Sequence, residues 1–545
     1  MTQAPECYPI SILPHSSRLF LDYAERREPL LPFFPSSPYS HAWMLHRSLL
    51  AEASRAELAG ILAGQNRELG GGERISASIA ALGRGANAVV TGQQVTLLGG
   101  PLYTLFKAAT AIRKAQDATA AGHPHVPIFW LATEDHDLEE ADQVTFPTRH
   151  ELHRLKVRMP ETAGLSSGSR PVGDLPLSDD IGRVVDEARG LLEPGATLDA
   201  LAECYRPGVT FSHAFAQFLS RVFAKHGLIV IDASSRECHA LGAKVLRQAI
   251  TSADQLQAAL QQRDQALAAG GYHSQVLVTP QSGLLFLIDV ETGARLPLKR
   301  AAGGSSGDGW VAGKKSYSEA ALLEIVERAP ERLSPNALLR PVFQDAILPT
   351  SVYIGGPAEI AYFAQSQVLY ERILGRTTPV LPRLSATLIE PAIAELLAQH
   401  ELSLTEVIAL RPEELAMRLG ARTMPIENKQ KLAAAGNALD TELQTLTTYL
   451  GSLDEGLGRS AEVAASKMRY QMNRLRRLGA NYQLQKETSL RRHADALALA
   501  LFPNQHLQER LIGAAWFLSR YGEGLASLLV DHAAQECPGH KAIFL

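Results

Sequence analysis

Five short apolar runs limit what this chain can fold into more than any other feature: NAVVTG (87–92), VPIFWLAT (126–133), GLIVIDAS (227–234), LPTSVYIGGP (348–357) and TPVLPRLSATLI (378–389). Runs that are apolar along their whole length, and not merely at alternate positions, suit strands buried on both faces. Several are separated by helical patterns, which parallel neighbours need as crossovers. After Pro101, the residues Leu102, Leu105, Phe106, Ala109 and Ile112 fall on one helical face. TFSHAFAQFLSRVFAKHG (210–227) behaves likewise and ends on a glycine just before a strand. The expected fold class is α/β with a Rossmann-like parallel-sheet core.

Two regions interrupt that grammar. Residues 150–205 are rich in Pro, Gly and Asp and hold one candidate strand, LHRLKVRM. Residues 272–316 alternate the short strands QVLVTP, LLFLIDV and RLPLK with the loop AAGGSSGDGW, the pattern of a small antiparallel module. The core is therefore expected in three parts, 1–149, 206–240 and 334–390, with insertions at 150–205 and 241–333. Beyond residue 390 the strands stop. Leu432, Leu439, Leu443, Leu446, Leu450, Leu453 and Leu457 keep mainly four-three spacing, GLGRS (456–460) reads as a turn, and Met468, Met472, Leu475, Gly479 and Tyr482 resume the spacing. An α-helical coiled-coil arm within 391–505 is expected, or else an ordinary helical hairpin, with 506–545 packing back on the core.

At 545 residues the chain has room for about three domains. A composition of 46% apolar and 20% charged residues fits a soluble globular protein. The net charge of −4 gives no global pull toward nucleic acid or an anionic membrane, and no partner of either kind is expected. Eight Lys and Arg in 466–493 could meet a nucleotide phosphate or RNA, or simply be the solvated face of the arm. Cys7, Cys204, Cys238 and Cys537 lack CxxC spacing, so neither a disulfide framework nor a zinc site is indicated. The N-terminus has no signal-peptide pattern, and a cytoplasmic location is expected.

Three stretches carry candidate chemistry. In VVTGQQVTLLGGPLYTLF, Thr91, Gly92, Gln93 and Gln94 end a strand, and Gly99, Gly100 and Pro101 enter a helix. Such a junction can offer backbone N–H groups and a helix dipole to a phosphate or carboxylate, although glycine turns are also used as plain tight connections. In ATEDHDLEEAD (132–142), Glu134, Asp135, His136 and Asp137 follow a strand, at the end where open α/β sheets place ligands. They could act as a general base, hold an amine or bind Mg²⁺, or they could cap a helix. In LLRPVFQDAILPTSVYIGGPAEIAYFAQ (338–365), Gly355, Gly356 and Glu359 repeat the first grammar, and Arg383 with Ser385 could add charge and a hydroxyl to the same cleft. HPH (123–125) and CPGH (537–540) form no complete metal set.

Together TGQQ…GGPLYTLFKAA, PIFWLATEDHDLEEAD, LRPVFQDAILPTSVYIGGPAEIAYFAQ and QERLIGAAWFLSRYG (508–522) resemble the BshC family, the cysteine-adding enzymes of bacillithiol synthesis, over almost the whole chain. The resemblance implies a core related to nucleotidyltransferases and class I synthetases, two connecting peptides at the insertions, and an arm used for homodimerisation. It also implies amide formation between cysteine and the amine of glucosaminyl-malate. ATP is the expected activator, with Mg²⁺ as a conceivable companion, through an acyl-adenylate or an acyl-phosphate. On motif chemistry the 91–101 loop would bind the anion, and Asp135 or His136, with Asp137 beside them, would take the ammonium proton. Gly355, Gly356 and Glu359 would shape the opposite wall. A HIGH sequence is missing, which counts against ordinary adenylation. Other readings of the same residues are a nucleotidyltransferase with another substrate and a dimeric thiol-metabolite-binding scaffold.

Overall fold

The computed structural model describes residues 6–46, 50–159, 170–279, 281–301, 309–534, 537 and 539–545. Its central sheet holds β1 (Asn87–Gln93), β2 (His125–Leu131), β3 (Ile229–Asp232), β4 (Thr350–Gly355) and β5 (Val380–Pro382). The spatial order is β5-β4-β1-β2-β3, and every neighbouring pair is parallel. The apolar runs are continuous because both faces are covered. Ala88, Val90, Ile128, Trp130, Ile229 and Ile231 enter one core, whereas Phe129, Leu131 and Val230 enter another. Val89, Val352 and Ile354 pack against Ala111 and Ala115 of the helix α1 (Tyr103–Ala120). Leu102, Leu105, Phe106, Ala109 and Ile112 are all buried, each Leu or Phe stabilising by about 2 kcal/mol.

Register brings the carboxyl ends of four strands to one rim: Gln93 pairs with Leu131, Leu131 with Asp232, and Thr91 with Ile354. From β1 the chain steps outward to β2 and β3, then returns to the other side for β4 and β5. The order reverses between β1 and β4, the place where such sheets open a crevice. The helices α2 (Phe211–Val222) and α3 (Pro357–Leu374) belong to the layers on this sheet.

A second, antiparallel sheet lies in the later insertion, built from the strands Ser282–Ile288, Arg295–Arg300, Gly309–Ala312, Lys315–Ser318 and Leu333–Pro335. QVLVTP is not one of its strands. The backbone of Val276 instead exchanges hydrogen bonds with the Gln365 side chain, at 2.9 Å each. Most of the AAGGSSGDGW loop, 302–308, lies outside the described residues. The candidate strand LHRLKVRM is the strand Leu152–Lys156, paired antiparallel with Gln143–Pro147.

Three other expectations need correction. TPVLPRLSATLI is two strands in two sheets, because the chain leaves the core after β5 and Ala386–Ile389 joins His540–Phe544. GLGRS is helical: the arm turns one step earlier, where the Asp454 carboxylate accepts from the N–H groups of Gly456 and Leu457 between α4 (Ile426–Leu453) and α5 (Glu455–Lys486). Cys7 and Cys537 form a disulfide, with Cα atoms 6.0 Å apart across 530 residues of chain. Pairing of Glu6–Tyr8 with His540–Phe544 delivers the two thiols to each other, although their spacing in the sequence indicated no disulfide.

Among the described residues no helix is long and apolar enough to cross a membrane. The arm buries Leu443 but exposes Leu446, Leu453, Leu457, Met468, Leu475 and Tyr482.

Candidate active site

A cavity of about 690 Å³ opens at the strand rim between β1 and β4, and the inserted antiparallel sheet forms its far wall. Gly92, Gln93, Gln94, Glu134, Asp135, His136, Gly356, Glu359 and Arg383 all line it. Three stretches separated by up to about half the chain thus share one cavity.

The wall under β1 and β4 is a buried ionic network. Lys107 of α1 reaches back beneath its own loop: Nζ lies 2.5 Å from Oε2 of Glu359 and donates to the Gly92 carbonyl (2.7 Å) and Oε1 of Gln93 (2.9 Å). The Glu359 carboxylate also accepts from the Tyr353 hydroxyl (2.5 Å) and the Gly356 N–H (2.8 Å). Burial opposes its charge, but Lys107 and these donors hold its pKa below the ordinary value. Burial lowers the pKa of Lys107, against the pull of Glu359. Arg340 donates to the Tyr362 hydroxyl at 2.7 Å; burial works against its charge, yet Tyr362, Tyr353 and Glu359 raise its pKa. Gly92 is required here because a Cβ would stand 2.9 Å from the Trp130 carbonyl. Arg383, in an ion pair of 2.5 Å with the equally buried Glu509, is largely neutralised, and Arg510 completes the cationic side.

The opposite wall is acidic. Glu134 lies 3.2 Å from Nε2 of His239, a fully buried ring whose Nδ1 donates to the Ser235 carbonyl at 3.1 Å. Burial lowers the His239 pKa, but Glu134 outweighs it and the net shift is upward. The Asp135 Oδ1 atom accepts from the His136 N–H at 2.7 Å. Arg295, from the inserted sheet, stacks 3.8 Å above the Phe286 ring and donates to Oγ of Ser334 (3.0 Å) and the Pro335 carbonyl (3.1 Å). Its Nη1 lies 3.3 Å from Nδ1 of His136 and 3.8 Å from Oδ1 of Asp135. Glu140 also lines this wall, its pKa raised by burial and then by Asp137 and Asp135.

Six residues marked by the sequence do not line this cavity. Thr91 is buried and donates to the Ile354 carbonyl at 2.9 Å, joining two strands. Gly99 and Gly100 have φ of 84° and 69° and form a tight turn. Their N–H groups are consumed by the Tyr205 hydroxyl and the Leu97 carbonyl, and that of Leu102 by the Ile512 carbonyl. This junction therefore offers no free cradle to an anion. Asp137 caps the short helix Leu138–Ala141, accepting from the Glu140 N–H at 3.2 Å. Gly355 and Ser385 line a neighbouring cavity, and Ser385 contacts His540 and Glu509.

Lys107, Arg295, Arg340 and His239 are site residues that the sequence alone does not single out. Lys107 had a signal: it is the one charge in the otherwise uncharged stretch 102–112. Arg340 sits within the third motif; Arg295 and His239 had none. Among the described residues no group of three His, Cys, Asp or Glu is placed to hold a metal ion. The rings of His125 and His540 are engaged at both nitrogens by protein groups.

The profile described as "Bacillithiol biosynthesis BshC, N-terminal Rossmann-like domain" matches residues 6–384, and "Bacillithiol biosynthesis BshC, C-terminal coiled-coil domain" matches 386–545. This chain belongs to the BshC family. Relatives named "Putative cysteine ligase BshC" include proteins of Koribacter versatilis, 41% identical with 99% of both chains covered, and of Solibacter usitatus, 34% identical with 98% and 99% covered. That of Symbiobacterium thermophilum is 34% identical over 90% of each chain. The family boundary near residue 385 falls where the chain leaves β5 for the strand Ala386–Ile389, which pairs with His540–Phe544.

Proposed function

We propose that this BshC-family chain is a ligase that joins the carboxyl group of cysteine to the amine of glucosaminyl-malate, with ATP activating the carboxylate. The observation that carries this reading is the charge content of the one shared cavity: Lys107, Arg340 and Arg510 line it together with Glu134, Asp135 and Glu140. Both substrates combine carboxylate and amine groups, and a cavity lined by charges of both signs can orient them end to end. The cationic wall fits carboxylates or the phosphates of an activator, since it supplies charge-assisted donors. The 99–101 turn does not fit that role, because its N–H groups are already bonded. Asp135 is the base that receives the ammonium proton, its Oδ2 having no partner among the described residues. The exposed seam of the arm supports a homodimer formed through α4 and α5.

The test supplies purified protein with cysteine, glucosaminyl-malate and ATP, and follows bacillithiol by mass. Wild type should form product, and Asp135→Asn should be slower by about 10²–10⁴-fold. Absence of product from wild type with every nucleoside triphosphate and divalent cation tried would overturn the proposal. Equal rates for the variant would remove Asp135 from its role.

A further inference from the structure

From the geometry around Arg295 we infer that His136 acts as a neutral hydrogen-bond donor to the acyl oxygen, not as the base, and that Arg295 is the positioning residue that fixes it so. The inference rests on the ligase reading for the identity of the acyl group, but the tautomer itself follows from contacts alone.

A guanidinium has only donors. Nδ1 of His136 has two close neighbours, Nη1 of Arg295 at 3.3 Å in hydrogen-bond geometry and Oδ1 of Asp135 at 3.4 Å without it, so Nδ1 accepts from the arginine and carries no proton. The neutral ring therefore holds its hydrogen on Nε2, which has no partner among the described residues and belongs to a ring that lines the cavity. A hydrogen on Nδ1 would face the N–H of Arg295 and break this contact. Arg295 is poorly able to move: its side chain is 8% exposed, stacked on Phe286 and tied to Ser334 and Pro335. The same Nη1 lies 3.8 Å from Oδ1 of Asp135. Two adjacent residues that the sequence offers as equivalent bases are thus separated by one side chain. Asp135 accepts a proton, and His136 donates a hydrogen bond.

In the reaction, one ammonium proton passes to the Asp135 carboxylate and the freed nitrogen attacks the activated acyl carbon. The C–N bond forms and the bond from that carbon to the bridging oxygen of the mixed anhydride breaks, the nucleotide or phosphate leaving with that oxygen and the second amine proton passing to water. Negative charge collects on the acyl oxygen in between, where a preset Nε2–H stabilises it. His136 neither gains nor loses a proton overall. The inserted sheet contributes to this arrangement by carrying Arg295 to the rim of the core.

The tautomer is read directly from ¹⁵N spectra of the full chain labelled at histidine, with the His136 signals assigned by their loss in His136→Gln. At pH 7.5 and without substrates, Nδ1 should resonate as a bare nitrogen and Nε2 as a protonated one. A protonated Nδ1 would overturn the inference whether or not the protein is a ligase. In Arg295→Met the spectrum should move toward a mixture of tautomers, and kcat should fall by about 10²-fold or more with a smaller change in KM. Turnover separates donor from base, because a glutamine amide can place an N–H near the Nε2 position but cannot take a proton. His136→Gln should stay within tenfold of wild type while His136→Ala falls by about 10²-fold. Equal losses in the two would overturn the donor role.

Discussion

Lys107 and Glu359 form a buried ion pair of the cavity wall, with side chains 5% and 16% exposed. Glu359→Gln leaves the ammonium with only the Gly92 carbonyl and Gln93 amide oxygen, and an uncompensated buried charge costs about 3–5 kcal/mol. Lys107→Met leaves a carboxylate still served by Tyr353 and Gly356, so its cost should lie at or below about 3 kcal/mol. The double variant removes both charges and should be more stable than Glu359→Gln alone, a coupling of about 1–3 kcal/mol. Urea denaturation followed by tryptophan fluorescence measures all four corners of the cycle. The pH dependence has a definite sign. Burial lowers the Lys107 pKa from 10.5, and loss of Glu359 removes what opposes that lowering. The folded Glu359→Gln protein then releases the proton at a pH where the unfolded chain still holds it. Between those two values the unfolded state binds more protons, so raising the pH stabilises the variant. Glu359→Gln should therefore recover stability as the pH rises toward 10.5, and by more than wild type gains over the same range. Additive single losses, or a variant whose deficit is flat with pH, would refute the claim that Lys107 is held here as a paired charge.

Asp137 caps the helix Leu138–Ala141: Asp137→Ser should keep turnover, while Asp137→Ala should lower stability by about 1 kcal/mol and leave product formation within twofold. A large kinetic loss in the serine variant would return Asp137 to the chemistry. His540 supplies an acid-sensitive lock for the carboxyl-terminal strand, its Nδ1 and Nε2 each 2.8 Å from the hydroxyls of Ser385 and Thr387. Burial lowers its pKa from 6.5 to about 4. The unfolded chain takes up the proton first as pH falls, so stability is lost between those values, by about 3 kcal/mol, and is fully present above 6.5. Denaturation of wild type and His540→Gln at pH 7 and pH 4 should show the smaller pH effect in the variant; parallel losses would exclude His540 as their source.

The strands of the core were legible because burial on both faces writes them as continuous apolar runs, with glycines where the rim must admit close backbone approach. Gly92 and Gly356 line the cavity. Gly99 and Gly100 were equally visible, but their role is decided by Tyr205, more than a hundred residues away, which takes the N–H that an anion would have needed. The break at 383–385 was invisible for a related reason: hydropathy is the same on both sides while the chain exchanges one sheet for another. Cys7 and Cys537 illustrate the limit most sharply, since a strand pairing between the two ends of the chain, not any spacing, unites them. For the site, local sequence offered EDHD as four interchangeable acids and bases. What distinguishes them comes from elsewhere: His239 for Glu134, Arg295 for Asp135 and His136, and the start of a short helix for Asp137. Side-chain chemistry at such a rim is assigned by the partners that tertiary structure brings to it, so a motif can name the reactive loop without naming the role of any residue within it.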